Sequence, residues 1–207
     1  KYSNCMEFGT GSGIIIIYLS KKFPNSKIIG VEKNIELVKL ANKNLLKNNI
    51  NNINSKILCN DLFNKPFLQE YNNKLDRVIM NPPYFISNNV IKSNNKFKAS
   101  ARYESNINEW FEAAYKKLKP KGYMNFVFRT ESLDLILSNL NGSWGEIKIF
   151  PLWPKVNVKS KLMILQAKKN AKSGVQILPG LILHNNDGSY TDACNSILNN
   201  KSDIQLD

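Results

Sequence analysis

Cysteine and histidine are scarce: the 207 residues include three of the first and one of the second. Cys5, Cys59 and Cys194 lie far apart and form no CxxC pair. Neither a zinc site nor a disulfide framework is expected, and a reducing cytoplasm is the expected setting. A lone His184 cannot build a histidine-rich metal site and reads as a polar residue near a turn. No apolar run reaches the roughly eighteen residues that a membrane-spanning helix needs. Ile14 to Ile17 is the nearest approach. No charged segment followed by an apolar one opens the chain, so no signal peptide is expected. The chain begins on Lys1 and is expected to be a trimmed piece, with a segment upstream. Acidic residues are also few. Sixteen Asp and Glu stand against 29 Lys and Arg, a net charge of +13. That surplus points to a polyanion, with nucleic acid first. Compositional bias toward Lys, Asn and Ile is the alternative source of the charge.

What is present is an alternation of short apolar runs with helical stretches. Such alternation predicts parallel strands joined by crossover helices. Strand one ends near Phe8, and a Gly-rich turn leads into a helix that runs to about Phe23. Strands two, three and four are expected at Lys27 to Glu32, Ser55 to Cys59 and Leu75 to Met80. A helix with apolar Leu37, Leu40, Ala41 and Leu45 separates the first two of these. A long polar segment from Asn81 to about Arg102 follows, and long loops in compact domains tend to be functional. Helices are expected over Glu104 to Leu118 and Glu131 to Leu140, with a turn at Pro120 to Gly122 and strand five at Tyr123 to Phe128. Ile147 to Leu152 and Leu162 to Ala167 read as a closing pair of strands. Ile177 to Leu183 is apolar, and the last dozen residues are polar enough to fray. The whole chain, 1–207, is expected to be a single domain.

Glu7-Phe8-Gly9-Thr10-Gly11-Ser12-Gly13 sits between a strand and a helix. Gly9, Gly11 and Gly13 allow a tight turn and close approach of a ligand to the backbone. Dinucleotide sites share this pattern. Three acids at successive strand ends narrow it. Glu7 stands where a carboxylate accepts from an ammonium, Glu32 where one takes both ribose hydroxyls, and Asp61 where one faces an adenine amino group. At the end of strand four comes Asn81-Pro82-Pro83-Tyr84, followed by Phe85. In open α/β sheets the carboxyl ends of the strands bear the ligand. The chemistry suits methyl transfer to an amino group conjugated to a ring or a carbonyl, whose lone pair is delocalised. The Asn81 side-chain oxygen and the Pro82 carbonyl can accept its two hydrogens, turn the lone pair toward the methyl and stabilise the positive charge that develops. The prolines stiffen the loop. Tyr84 offers a ring for stacking on a planar base.

In this order, these motifs resemble the class I N6-adenine and related amino-methyltransferases. The wider pattern is similar to the bacterial tRNA1(Val) (adenine37-N6)-methyltransferase family. That wider pattern comprises Phe85, Ala101-Arg102-Tyr103-Glu104, Leu118-Lys119-Pro120-Lys121-Gly122, Leu181-Ile182-Leu183-His184 and Asp187-Gly188-Ser189-Tyr190-Thr191. The resemblance covers nearly the whole chain. It implies a Rossmann-like α/β fold, with a seven-stranded, mostly parallel sheet, helices on both faces and the last strand antiparallel. It also implies S-adenosyl-L-methionine as methyl donor and tRNA as substrate. Gly9, Gly11, Glu32 and Asp61 would touch the cofactor, and Asn81 and Tyr84 the target base. Glu7 departs from the Asp of many members, and the resemblance implies a further segment before strand one, which is expected upstream of Lys1.

Lys92, Lys96, Lys98 and Arg102 follow the motif and are candidates for flanking phosphates, together with Tyr84 and Phe85 on the base. Lys116, Lys117, Lys119 and Lys121 read as solvated surface, and Trp144, Phe150 and Trp153 as packing residues. A monomer without metal or membrane is expected. Two alternatives stay open: a glutamine methyltransferase of release factors, because an amide poses the same nucleophile problem, and a non-catalytic RNA-binding module.

Overall fold

A computed structural model describes residues 4–50, 53–82, 107–140 and 142–206. β1 (Asn4–Phe8) is buried on both faces and lies between two parallel neighbours, β2 (Lys27–Glu32) and β4 (Leu75–Met80). Its alternate side chains serve two cores. Cys5 joins Ile28 with Ile16 and Leu19 of α1 (Ile14–Lys22) and Leu45 of α2 (Ile35–Lys47). Met6 and Phe8 join Val31 and Val78 on the other face with Trp110, Phe111 and Ala114 of α3 (Ile107–Lys117). Double coverage explains why these strands read as apolar runs without alternation.

α2 starts where Asn34 caps it, its side chain accepting from Glu36 N at 2.9 Å. Val38, Ala41 and Leu45 form its buried stripe. α1 has no side-chain cap and opens on four isoleucines, a β-branched run of low helix propensity. Packing of Ile16 and Leu19 holds it instead, and Ser20 Oγ bonds the Ile16 carbonyl at 2.7 Å and Ser55 Oγ of β3 (Ser55–Cys59) at 2.7 Å.

β5 (Leu118–Arg129) extends beyond its expected ends. Its ladder with β4 begins at Leu75–Leu118, and the expected turn survives as an irregularity in which Lys121 has φ 65°. α4 (Leu133–Asn139) leads to β6 (Trp144–Trp153), and β7 (Leu162–Lys169) inserts antiparallel between β5 and β6. The sheet order is β3-β2-β1-β4-β5-β7-β6-β8, with β9 paired to β6. The seven expected strands are therefore β1 to β7, with the seventh antiparallel. β8 (Val175–Ile177) and β9 (Leu181–Ile182) raise the count among the described residues to nine. The apolar stretch Ile177 to Leu183 is thus not one strand. Pro179 has no N–H to donate, and Gly180, at φ 84°, passes under the Pro151 carbonyl where a Cβ would lie at 2.3 Å.

A short helix precedes the polar end of the chain, and residues 199–206 after it form no helix or strand. Thr191 caps α5 (Asp192–Leu198) by accepting from Cys194 N at 3.2 Å, and Cys194 is buried. No helix among the described residues is long and apolar enough to cross a membrane.

Candidate functional site

The strand order reverses between β1 and β4, and in a doubly wound sheet the ligand crevice opens at such a point, outside the carboxyl ends of the strands. Phe8 pairs with Met80, so Gly9 and Asn81 leave the sheet side by side. Asn81 is exposed, while Pro82 is buried. Residues 83–106 lie outside the described residues, and with them Tyr84, Phe85, Lys92, Lys96, Lys98 and Arg102.

Two backbone bonds to one carbonyl hold the start of the Gly-rich turn. Gly9 N and Thr10 N both donate to the Val31 carbonyl, at 2.8 and 3.0 Å. Gly9, Gly11 and Gly13 have φ of 71°, 54° and 82°, a region that L side chains rarely adopt. At Gly11 a Cβ would meet nothing within 4 Å, whereas at Gly13 it would press on Ala41 Cβ at 3.1 Å. Gly11 therefore borders open space and Gly13 seals the turn against α2.

Glu7 is only 2% exposed. Thr10 Oγ1 donates to its Oε2 at 2.6 Å. Loss of water pushes the Glu7 carboxyl up to about 8. The Thr10 bond opposes that rise, and the nearby negative charge of Glu32 adds to it. Glu32 sits at the end of β2, nearly buried. Its Oε2 accepts from Gly11 N at 3.0 Å and its Oε1 from Asn34 N at 2.9 Å. Asn60 N bonds the Glu32 carbonyl at 3.0 Å, which brings the end of β3 alongside. Asp61 is half-buried and closes its own turn by accepting from Phe63 N at 3.0 Å.

The fold thus gathers Glu7, the three glycines, Glu32, Asp61, Asn81 and Pro82 along adjoining strand ends. Three contributors escaped the sequence reading. Thr10 orients Glu7, Gly30 makes room for Thr10, and Trp110 packs beneath Gly9. A Cβ on Gly30 would lie 2.9 Å from Thr10 Cγ2, and one on Gly9 would lie 3.5 Å from the Trp110 ring. The Glu7-x-x-Thr10 spacing was the available signal for the first. Trp110 also meets Phe63 edge-on, with centroids 6.2 Å apart, and its buried Nε1 has no hydrogen-bond partner among the described residues.

The lysine cluster at 116 to 121 is not all solvated surface. Lys117 is 2% exposed, and its Nζ donates to the Phe67 carbonyl at 2.5 Å and to Asn72 Oδ1 at 2.6 Å. Lys119 pairs with Asp76 at 2.9 Å. A cavity of about 390 Å³ lies beside Lys117, between the 62–72 connection and α3, and none of the three site acids lines it. Trp144 and Phe150 are buried as expected, Trp153 only partly. Among the described residues, no group of three or more His, Cys, Asp or Glu is placed to hold a metal ion.

A cationic ligand with ribose and base fits this donor set. Glu7 is a buried carboxyl that lacks a cation among the described residues. Glu32 keeps lone pairs free on both oxygens, and open space adjoins Gly11.

Known proteins share this fold and stretches of this sequence. The crystal structure of a predicted O-methyltransferase, protein Atu636 from Agrobacterium tumefaciens, superposes with a TM-score of 0.80 over 98% of this chain and 91% of its own, at 16% identity. The tRNA1(Val) (adenine(37)-N6)-methyltransferase of Haemophilus influenzae is 26% identical over 195 residues, 92% of this chain and 79% of that protein. Two shorter matches are to larger proteins. A bifunctional methyltransferase of Rickettsia typhi is 33% identical over 84 residues, 41% of this chain and 15% of its own length. A release factor glutamine methyltransferase of Fusobacterium nucleatum is 33% identical over 81 residues, 39% of this chain and 22% of its own length. The sequence profile described as Methyltransferase small domain matches residues 1–147, and the chain belongs to that family.

Proposed function

We propose that this chain is an S-adenosyl-L-methionine-dependent methyltransferase whose acceptor is an exocyclic amino nitrogen, N6 of adenine 37 in tRNA1(Val). The observation that carries the proposal is the position of Asn81. It leaves the sheet beside Gly9, at the switch point, with Glu7 on the neighbouring β1 and Glu32 on β2, one strand further. The length of the match to the Haemophilus tRNA enzyme favours tRNA as acceptor, and the charge of +13 suits a polyanion.

Glu7 would receive the ammonium of the methionine moiety, Glu32 the ribose hydroxyls and Asp61 the adenine amino group, with Gly9, Gly11 and Gly13 lining the approach. The cofactor supplies an electrophilic methyl group on a sulfonium. Asn81 Oδ1 and the Pro82 carbonyl accept the two N–H bonds of the target amine, which directs the nitrogen lone pair toward that methyl. As the new N–C bond would form and the methyl's bond to sulfur break, its electron pair staying on sulfur, the same two oxygens would face the positive charge growing on nitrogen. The surplus proton leaves to solvent, so no histidine is required. Tyr84 would stack on the base, with Phe85, Lys92, Lys96, Lys98 and Arg102 on the flanking RNA. A single domain over 1–207, acting as a monomer in the cytoplasm, completes the reading.

A second reading, methylation of a glutamine amide in a release factor, is favoured by the Fusobacterium match and by the same need to hold a planar amine. Tritiated S-adenosyl-L-methionine offered with undermodified tRNA and with release factor in parallel separates the two. Label in tRNA adenine is expected. Label in protein glutamine alone refutes the tRNA reading.

A further inference from the structure

We infer that the groove between the β6–β7 connection and the tail is a second RNA subsite, taking a single-stranded stretch that flanks the target base. The inference rests on the proposed RNA-methyltransferase reading.

β6 runs parallel to β4 and β5, because β7 lies antiparallel between β5 and β6. The connection at 154–161 therefore emerges at the same sheet edge as Asn81. Three strand steps, β4 to β5 to β7 to β6, separate them. At about 4.8 Å per step that is about 14 Å across the sheet, and the register puts Met80 level with Ile149, so the end of β6 lies four residues, about 13 Å, further along the strands; the two are about 20 Å apart, a span that a short single strand covers.

A groove of about 850 Å³ opens there. One wall is the connection, with Val156 at 59% exposure and Val158 at 42%. The other wall is the tail, with Leu181 and Ile182 of β9. Apolar side chains left in water on a rim of this kind mark a contact surface. The tail wall is rigid. Trp153 Nε1 donates to the Pro179 carbonyl at 3.1 Å, Leu183 N to the Trp153 carbonyl at 2.8 Å and His184 N to the Pro154 carbonyl at 3.0 Å. Gly180 is packed so closely on Pro151 that no side chain fits.

Charge decides the class of occupant. Lys155 and Lys159 line the groove and no acid does. Asp187 and Asp192 stand on the same tail, outside the lining, and Asp187 is close enough to Lys155 for the lysine's charge to favour its carboxylate. Lys155 Nζ directs one proton to the Asn186 carbonyl at 2.9 Å and keeps two. Cations and apolar side chains in one groove, with Trp153 in its lining, match phosphates on the lysines and bases on the apolar groups, the pattern of single-strand binding surfaces.

The test is RNA affinity at several salt concentrations, read by anisotropy on a labelled tRNA anticodon stem-loop. It uses the wild-type protein, the Lys155→Ala/Lys159→Ala double variant and Val158→Asp. Cofactor affinity and melting temperature serve as the folding control, and a Lys155→Arg/Lys159→Arg variant as the rescue. The double alanine variant should weaken RNA binding on the order of tenfold. It should also flatten the slope of log affinity against log salt by about 1.4, two phosphates at about 0.7 each. KM for RNA should rise with kcat unchanged, and the arginine variant should restore both affinity and slope. If wild type methylates tRNA and the alanine variants bind it with unaltered affinity and slope, the groove inference falls alone. If wild type neither binds nor methylates RNA, the functional reading falls and the inference with it. If the variants lose only methylation of a release factor, the groove docks protein and the inference is refuted.

Discussion

Glu7 is a carboxyl group held out of water beside a second carboxylate, and replacing it with glutamine isolates its charge with little change of shape. In the folded chain its pKa is pushed from 4.5 up to about 8. Between those values the native state keeps a proton that the unfolded chain has released. Stability from this group is thus fully present below about pH 4.5, falls as pH rises and levels off above about pH 8. The slope is at most about 1.4 kcal/mol per pH unit, and the full interval is worth up to roughly 5 kcal/mol. Glu7→Gln carries no titrating proton. Urea unfolding of both proteins from pH 5 to pH 9 should give curves that diverge with rising pH, the variant becoming the more stable. Equal slopes in the two proteins across that range would refute the claim that Glu7 is buried without a cation.

The remaining predictions concern ligand, turnover and turn. Cofactor binding should release close to one proton at pH 7, because an ammonium beside Glu7 drives it to the carboxylate. Calorimetry in buffers of different ionisation enthalpy counts that proton, and a count of zero removes Glu7 from the ammonium site. Asn81→Ala should leave cofactor affinity intact while turnover falls about 100- to 1,000-fold; parallel loss of both would make Asn81 structural. Glu32→Gln should weaken cofactor binding about 10- to 100-fold, the scale of hydrogen bonds to a charged acceptor, measured by the same calorimetry. Gly13→Ala forces a side chain to φ 82° with its Cβ 3.1 Å from Ala41 Cβ, and should cost about 1–3 kcal/mol in denaturant unfolding.

The front half of the fold was legible because β1 and β2 are buried on both faces and the shorter apolar stretches of β3 and β4 are closed by turn residues. Lys27 to Glu32, Ser55 to Cys59 and Leu75 to Met80 are apolar runs with turn residues at their ends, and all three form where expected. The site acids were legible for a related reason. A charged residue that ends an apolar strand stands out, and three of them fall at consecutive strand ends. The tail was not legible, since strands of three and two residues show no periodicity and are defined by the β6 edge they join. Lys117 was misread because its burial depends on a carbonyl fifty positions away, a distance that no local pattern encodes. Gly30 escaped because its role exists only between strands, where its missing Cβ leaves the space that Thr10 fills.

The central claim, methyl transfer to an exocyclic adenine nitrogen of tRNA, is tested most directly by nucleoside mass spectrometry of tRNA from cells with and without the gene. N6-methyladenosine should vanish from one tRNA on deletion, and return with the wild-type gene but not with Asn81→Ala. An unchanged nucleoside profile, with methylglutamine lost from a release factor instead, would contradict it.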